Sequence, residues 1–109
     1  RVNDVQILST LESIAASPDR YPDEIRLVAA SSIAQIDSEK VPSDIVLGFT
    51  SSEYPLLRAQ SATTLGIEGN QVNLGPLALM LKDSDPNVQI AAAGAILRID
   101  KGDSVAGVH

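Results

Sequence analysis

Cysteine and tryptophan are absent from this chain, and histidine occurs once, at the last of its 109 positions. Without cysteine there can be no disulfide, no thiol nucleophile and no cysteine-ligated metal. A structural zinc site needs four cysteine or histidine ligands, which this composition cannot supply. One histidine also leaves no base of the usual kind to activate a serine nucleophile. We therefore predict no catalytic residue, no metal and no cofactor, and we expect the protein not to be an enzyme.

Positive charge and long apolar runs are also scarce. The chain is acidic, with 14 Asp and Glu against 8 Lys and Arg and a formal net charge of −6. Nucleic acids and anionic membranes are bound through clustered basic side chains, so neither is an expected partner. No stretch approaches the roughly 18 consecutive apolar residues of a membrane-spanning helix. No signal peptide is visible, and the cytoplasm is the default compartment, although a start at Arg1 rather than methionine is typical of a truncated or processed piece.

Aromatic residues make up only 3% of the chain, whereas 44% of its residues are hydrophobic. That apolar content is enough for a packed core, and the length is that of one domain. The core must therefore be built from alanine and aliphatic side chains, which allow close packing.

An internal repeat with a period of 31 to 32 residues organises the sequence. Ile25, Leu57 and Val88 occupy the same place in three copies, and Pro55 and Pro86 each lie two residues before that place. In the third copy, apolar residues recur at the i, i+3, i+4, i+7 spacing of a helix face. A shorter apolar segment precedes each copy. The pattern predicts six helices and no strand, with the helices near residues 2–15, 23–36, 43–51, 55–67, 73–82 and 86–99.

Residues 83–96, D-S-D-P-N-V-Q-I-A-A-A-G-A-I, resemble the HEAT repeat, in the short bacterial and archaeal form that phycobilin lyases also contain. The resemblance implies an all-α fold, a short right-handed α-solenoid (α-α superhelix) of three HEAT-like helix pairs. The expected domain is 1–103, with repeats at about 2–37, 42–69 and 72–100, followed by a tail at 104–109. Arg26 and Arg58 align with the arginine of the family's second helix, and Gln89 replaces it in the third copy.

The second helices of such a stack are expected to line a concave face that binds partners. If residues are counted from Ile25, Leu57 and Val88, those at positions +2, +6 and +10 point away from the predicted buried stripe. The row of Leu27, Ala59 and Ile90 is apolar in all three copies, which favours a binding floor over a solvated face. The alternative is that neighbouring side chains or further repeats cover these three residues. The predicted concave surface comprises Arg26, Leu27, Ser31, Gln35, Arg58, Ala59, Thr63, Gln89, Ile90, Gly94 and Arg98.

These observations predict a non-catalytic interaction module or scaffold fragment that binds a protein or peptide on its concave face. Two alternatives stay open. The resemblance implies a subunit of the phycobilin lyase or isomerase type, which would hold a tetrapyrrole. The second alternative is that the chain is a structural solenoid fragment of a larger protein. A second copy of the chain, which would associate through the solenoid ends, is a further candidate partner.

Overall fold

Six α-helices account for most of the chain in a computed structural model that describes residues 3–108, with side chains described through residue 102. Two short 3₁₀ turns, Ser38–Lys40 and Gln71–Asn73, precede the third and fifth helices. No strand occurs within residues 3–108, so the prediction of an all-α fold is confirmed. The helices are α1 Asp4–Ala15, α2 Asp23–Ile36, α3 Ser43–Phe49, α4 Pro55–Glu68, α5 Leu74–Met80 and α6 Pro86–Val108.

The helix boundaries follow from local sequence signals. Asn3 caps α1 by accepting a hydrogen bond from the backbone of Gln6, whose side chain returns the bond in a capping box. Proline is the first residue of both α4 and α6, where its missing N–H costs nothing. Gly69 ends α4 with a φ of +76°, a conformation that glycine adopts without steric cost.

The last helix is longer than predicted. It continues to Val108 rather than ending near residue 99, so the expected tail from residue 104 begins within a helix. Gly102 lies inside this helix, because a single glycine weakens a helix without ending it, and no proline follows to break the helix. Among the described residues, no helix is long and apolar enough to cross a membrane.

The helices α2, α4 and α6 pack side by side in that order, with α4 in the middle. The helix that precedes each of them packs against it, so that α1 contacts α2, α3 contacts α4 and α5 contacts α6. The molecule measures 40 × 38 × 18 Å, and its smallest dimension is about that of two helix layers. The apolar core lies between the layers and between neighbouring helices of the row; its largest fully buried aliphatic side chains are Leu27, Ile33, Leu65, Leu77, Val46 and Val88.

One close approach fixes the distance between α4 and α6. A Cβ atom added to Gly66 would lie 2.7 Å from the Cβ and 2.8 Å from the Cα of Ala95, which is closer than real atoms come. The two backbones can approach so closely only because position 66 has no side chain. Small residues in the repeat therefore allow adjacent helices of the row to pack tightly.

Candidate functional site

The predicted apolar floor of Leu27, Ala59 and Ile90 does not exist as an exposed row. Leu27 is completely buried and Ala59 is half-buried, whereas Ile90 is 70% exposed. The reason is the direction in which the +2 position, which these three residues share, points on each helix. Ala59 shares one face of α4 with Gly66, and Gly66 meets α6, so this position lies between neighbouring helices of the row. The floor prediction is wrong, and cover by a neighbouring helix accounts for its two members in α2 and α4.

The +6 and +10 positions do point outward from the row of helices. The exposed residues are Gln35, Thr63, Gly94 and Arg98, whereas Ser31 and Ile67 are half-buried. These positions lie opposite the face that α2, α4 and α6 bury against the other layer. The outward surface therefore carries small and polar side chains with one positive charge, rather than an apolar stripe.

Two adjoining clefts indent this outward surface, and both are bordered by Ile67 and Arg98. One cleft, of about 280 Å³, lies between α4 and α6 and is also lined by Thr63, Ala91 and Gly94. The second, of about 570 Å³, extends to the end of α2 and is also lined by Ala34, Gln35, Ile36 and Ser38. We call the two together the outward clefts. They bring together residues from three helices and from the turn that follows α2.

Arg98 supplies the charge of the outward clefts. Its side chain is exposed, and it forms no ion pair with any carboxylate of residues 3–102. Half-buried Ile67 supplies an apolar patch beside it. At Gly94 the wall is bare backbone, because glycine has no side chain, and the space that a Cβ would occupy is open. This combination suits a polar chain that offers a carboxylate to Arg98 and a small apolar group to Ile67.

The aligned positions Arg26, Arg58 and Gln89 lie at the turns rather than on the outward surface. Arg58 Nη1 donates to the Ser52 carbonyl at 2.8 Å, and Gln89 Nε2 donates to the Asp83 carbonyl at 2.7 Å. Each bond spans six residues, so glutamine preserves the turn contact that arginine makes one repeat earlier. Arg26 Nε donates instead to the Ala15 carbonyl at 2.9 Å, because the first turn is longer. All three side chains hold the turn that precedes their helix.

Arg58 also joins two successive turns. Its Nε and Nη2 atoms each lie 2.9 Å from an oxygen of Asp83, in a bidentate ion pair whose side chains are only 15% and 13% exposed. The Asp85 backbone N–H donates to the same carboxylate at 2.9 Å. The hydrogen bond from Arg58, and then that from Asp85, lower the pKa of Asp83 below its ordinary 3.8. The same bond raises the pKa of Arg58.

Replacing Asp83 with asparagine is expected to lower the melting temperature by several degrees at pH 7. The folded state lowers the pKa of this carboxyl, so its stabilising contribution is present above about pH 4 and is lost as the pH falls through the lower, folded-state pKa. The difference between wild type and Asp83→Asn should therefore shrink in acid, as thermal unfolding followed by circular dichroism from pH 7 down to about pH 2 will test. Asp23→Asn is the control, since Asp23 is 57% exposed and makes a single 3.3 Å contact with Arg26. Equal losses for the two variants at pH 7 would contradict the role of the buried pair.

A third concavity, of about 450 Å³, lies between the start of α2 and the turn from α3 to α4. Asp23, Asp44 and Glu53 line it together with Arg26, whose guanidinium carbon lies 5.7 Å from the centre of the Phe49 ring. Nothing in the sequence predicted this cleft, because its residues come from three separate segments with no common spacing. Within the described part of the chain, no group of three or more His, Cys, Asp or Glu residues could hold a metal ion.

No protein-family model, curated protein or solved structure matches this chain.

The chemistry of the site therefore follows from its own residues. Thr63 Oγ1 donates to the Ala59 carbonyl at 3.2 Å within α4, which leaves its oxygen able to accept a further bond. Gln35 offers both a donor and an acceptor, and Arg98 offers several donors. Together they can hold polar main-chain groups and one carboxylate.

Proposed function

We propose that the chain is a non-catalytic interaction module that binds a protein or peptide segment in the outward clefts. In this proposal its three helix pairs form a short right-handed α-solenoid of HEAT-like repeats. The repeated six-residue bonds, from Arg58 to Ser52 and from Gln89 to Asp83, support a common structural unit with the period of the sequence. The α2, α4 and α6 row supports stacking of those units.

The observation that carries the proposal is the meeting of two clefts at Ile67 and Arg98. A continuous depression across three helices suits an extended segment better than a compact small molecule. Because its walls are helices, little would have to be ordered on binding, which favours affinity. The acidic chain offers a positive group at this point, so we expect the bound segment to place an Asp, a Glu or a terminal carboxylate at Arg98.

Peptide selection tests this proposal directly. A random peptide display library selected on the immobilised chain is expected to yield sequences with an acidic residue, and fluorescence anisotropy then gives their dissociation constants. Arg98→Glu should weaken binding of the selected peptides by at least about tenfold, because an attraction becomes a repulsion. Gly94→Leu should weaken it as well, because the new side chain enters the cleft.

Lys82→Glu is the matched control, since it makes the same change of charge at an exposed lysine that lines neither outward cleft. It should leave the dissociation constants within about twofold of wild type. The proposal fails if no peptide is enriched, or if Lys82→Glu weakens binding as much as Arg98→Glu does.

A further inference from the structure

Each helix of the row carries an equivalent stripe, which in α2 and α4 faces the helix that follows in the row. In α4 the stripe is Ala59, Ala62 and Gly66, and Gly66 lies against Ala95 of α6. One repeat earlier, the same positions in α2 are Leu27, Ala30 and Ala34, all buried in the core that α2 shares with α4. One repeat later, they are Ile90, Ala93 and Leu97 in α6.

The stripe on α6 is uncovered within the described part of the chain. Ile90 is 70% exposed and Leu97 is 60% exposed, whereas their counterparts in α2, Leu27 and Ala34, are 0% and 3% exposed. A large apolar side chain at both positions is unlike a solvated helix face. We call Ile90, Ala93 and Leu97 the trailing face.

The opposite end of the row has the complementary feature. Leu57 of α4 and Val88 of α6 pack toward the preceding helix and are 3% and 0% exposed. The equivalent residue of α2 is Ile25, which is 47% exposed, and Val28, one turn further on the same side, is 50% exposed. We call Ile25 and Val28 the leading face.

We propose that the trailing face of one copy of this chain binds the leading face of a second copy. This inference rests on the repeat stacking in the proposed function, because it extends the α2–α4 and α4–α6 junctions across two molecules. Within one chain, Gly66 of the α4 stripe lies against Ala95, on the side of α6 that faces the preceding helix. The contact between copies repeats that pairing, and the resulting pair keeps one unused leading face and one unused trailing face, so association continues into an open row rather than closing as a dimer.

Charge favours this head-to-tail arrangement over pairing of two leading ends. Residues 3–37 carry six acidic side chains against two arginines, whereas residues 71–102 carry three of each sign. Two leading ends would bring two acidic surfaces together, which is unfavourable. A leading end against a trailing end places an acidic surface beside a neutral one.

The junction between copies is expected to be weaker than the junctions within one chain. Leu97 occupies the position that Gly66 occupies in α4, so the helices of two copies cannot approach as closely as α4 and α6 do. Association should therefore depend on concentration, with monomers present in dilute solution.

Light scattering during size-exclusion chromatography tests the proposal on the full chain, from about 10 µM to about 1 mM. The mass of wild type should rise from 11.4 kDa and should not stop at twice that value. Leu97→Asp and Val28→Asp should each remain monomeric, because each loses one face. An equimolar mixture of the two variants should form a species of two chains and nothing larger, because one intact trailing face meets one intact leading face.

Leu56→Asp is the control for general stickiness, since Leu56 is 76% exposed on α4 and belongs to neither face. It should associate as wild type does. Three outcomes would overturn the proposal: wild type that stays monomeric throughout, Val28→Asp that still dimerises through two trailing faces, or Leu56→Asp that abolishes association. None of these variants alters a residue of the outward clefts, so the peptide-binding test is decided separately.

Discussion

Replacing Gly66 with alanine is expected to lower the free energy of unfolding by about 1–3 kcal/mol, the usual cost of overpacking a core. The added methyl carbon would lie 2.7 Å from the Ala95 Cβ, and the nearest backbone atom, the Ala95 Cα, is only 2.8 Å away. A backbone atom cannot rotate out of the way as a flexible side chain can, so α4 and α6 must move apart. At roughly 4–8 °C per kcal/mol, the fall in melting temperature is easily measured by calorimetry.

The control for this substitution lies in the same pair of helices. Gly94 is inside α6 and nothing lies within 4 Å of its missing Cβ, so Gly94→Ala meets no obstacle. Alanine restricts the unfolded chain more than glycine does and is the better helix former, and Gly94→Ala should therefore stabilise the fold by about 0.5–1 kcal/mol. The close approach would be disproved if the two substitutions shifted the stability in the same direction.

Replacing Asn73 with alanine is expected to destabilise the protein by about 1–3 kcal/mol, because a buried hydrogen-bond partner is lost. Asn73 is 1% exposed, and its Nδ2 donates to Glu68 Oε1 at 2.7 Å and to the Leu65 carbonyl at 3.3 Å. The other carboxylate oxygen of Glu68 accepts a hydrogen bond from Ser43 Oγ. One amide thus joins the end of α4 to the turn before α5, and through Glu68 to the start of α3. It also supports a carboxylate at a helix C-terminus, where negative charge is unfavourable.

Asn73→Asp distinguishes the effect of losing this hydrogen-bond network from the effect of losing side-chain packing. It keeps the shape of the side chain but places a second carboxylate beside Glu68, so at pH 7 it should destabilise the protein more than Asn73→Ala does. The folded state should raise the pKa of the new carboxyl, and the variant should regain stability relative to wild type as the pH falls and that group is protonated. Urea unfolding at pH 7 and pH 4.5 measures both effects. Asn87→Ala, at an exposed asparagine in α6, should change the stability by no more than about 0.5 kcal/mol.

The same helix geometry explains both the error in the predicted binding surface and the further inference. On a helix, residues three, four and seven apart share a side, so position +2 lies with positions +5 and +9. The sequence alone cannot tell whether that side faces solvent or the next helix of the row. Leu27 and Ile90 occupy the same position, yet one is fully buried and the other is 70% exposed. The difference comes from the helix that covers α2 and is absent beside α6 in the described part of the chain.

Local signals in the sequence were sufficient for the helices and most of their ends. The starts of α4 and α6 were predictable from Pro55 and Pro86, because proline fixes the backbone angle of the first helical residue. The all-α class followed from apolar spacing, and the outward positions Thr63, Gly94 and Arg98 followed from the repeat. The helix starts and the all-α class depend on residues within one or two helical turns of one another.

Only the tertiary structure decided which residues far apart in the sequence meet. The ion pair of Arg58 with Asp83, the bond of Glu68 with Ser43 and the contact of Gly66 with Ala95 each join residues 25 to 29 positions apart. A period of 31 to 32 residues places equivalent positions in successive helices, but the distance and rotation between those helices depend on side-chain volumes at the junction. Those volumes set the close approach at Gly66 and the two clefts that meet at Arg98. The apolar residues at each end of the row are exposed because no further helix of the described chain covers them.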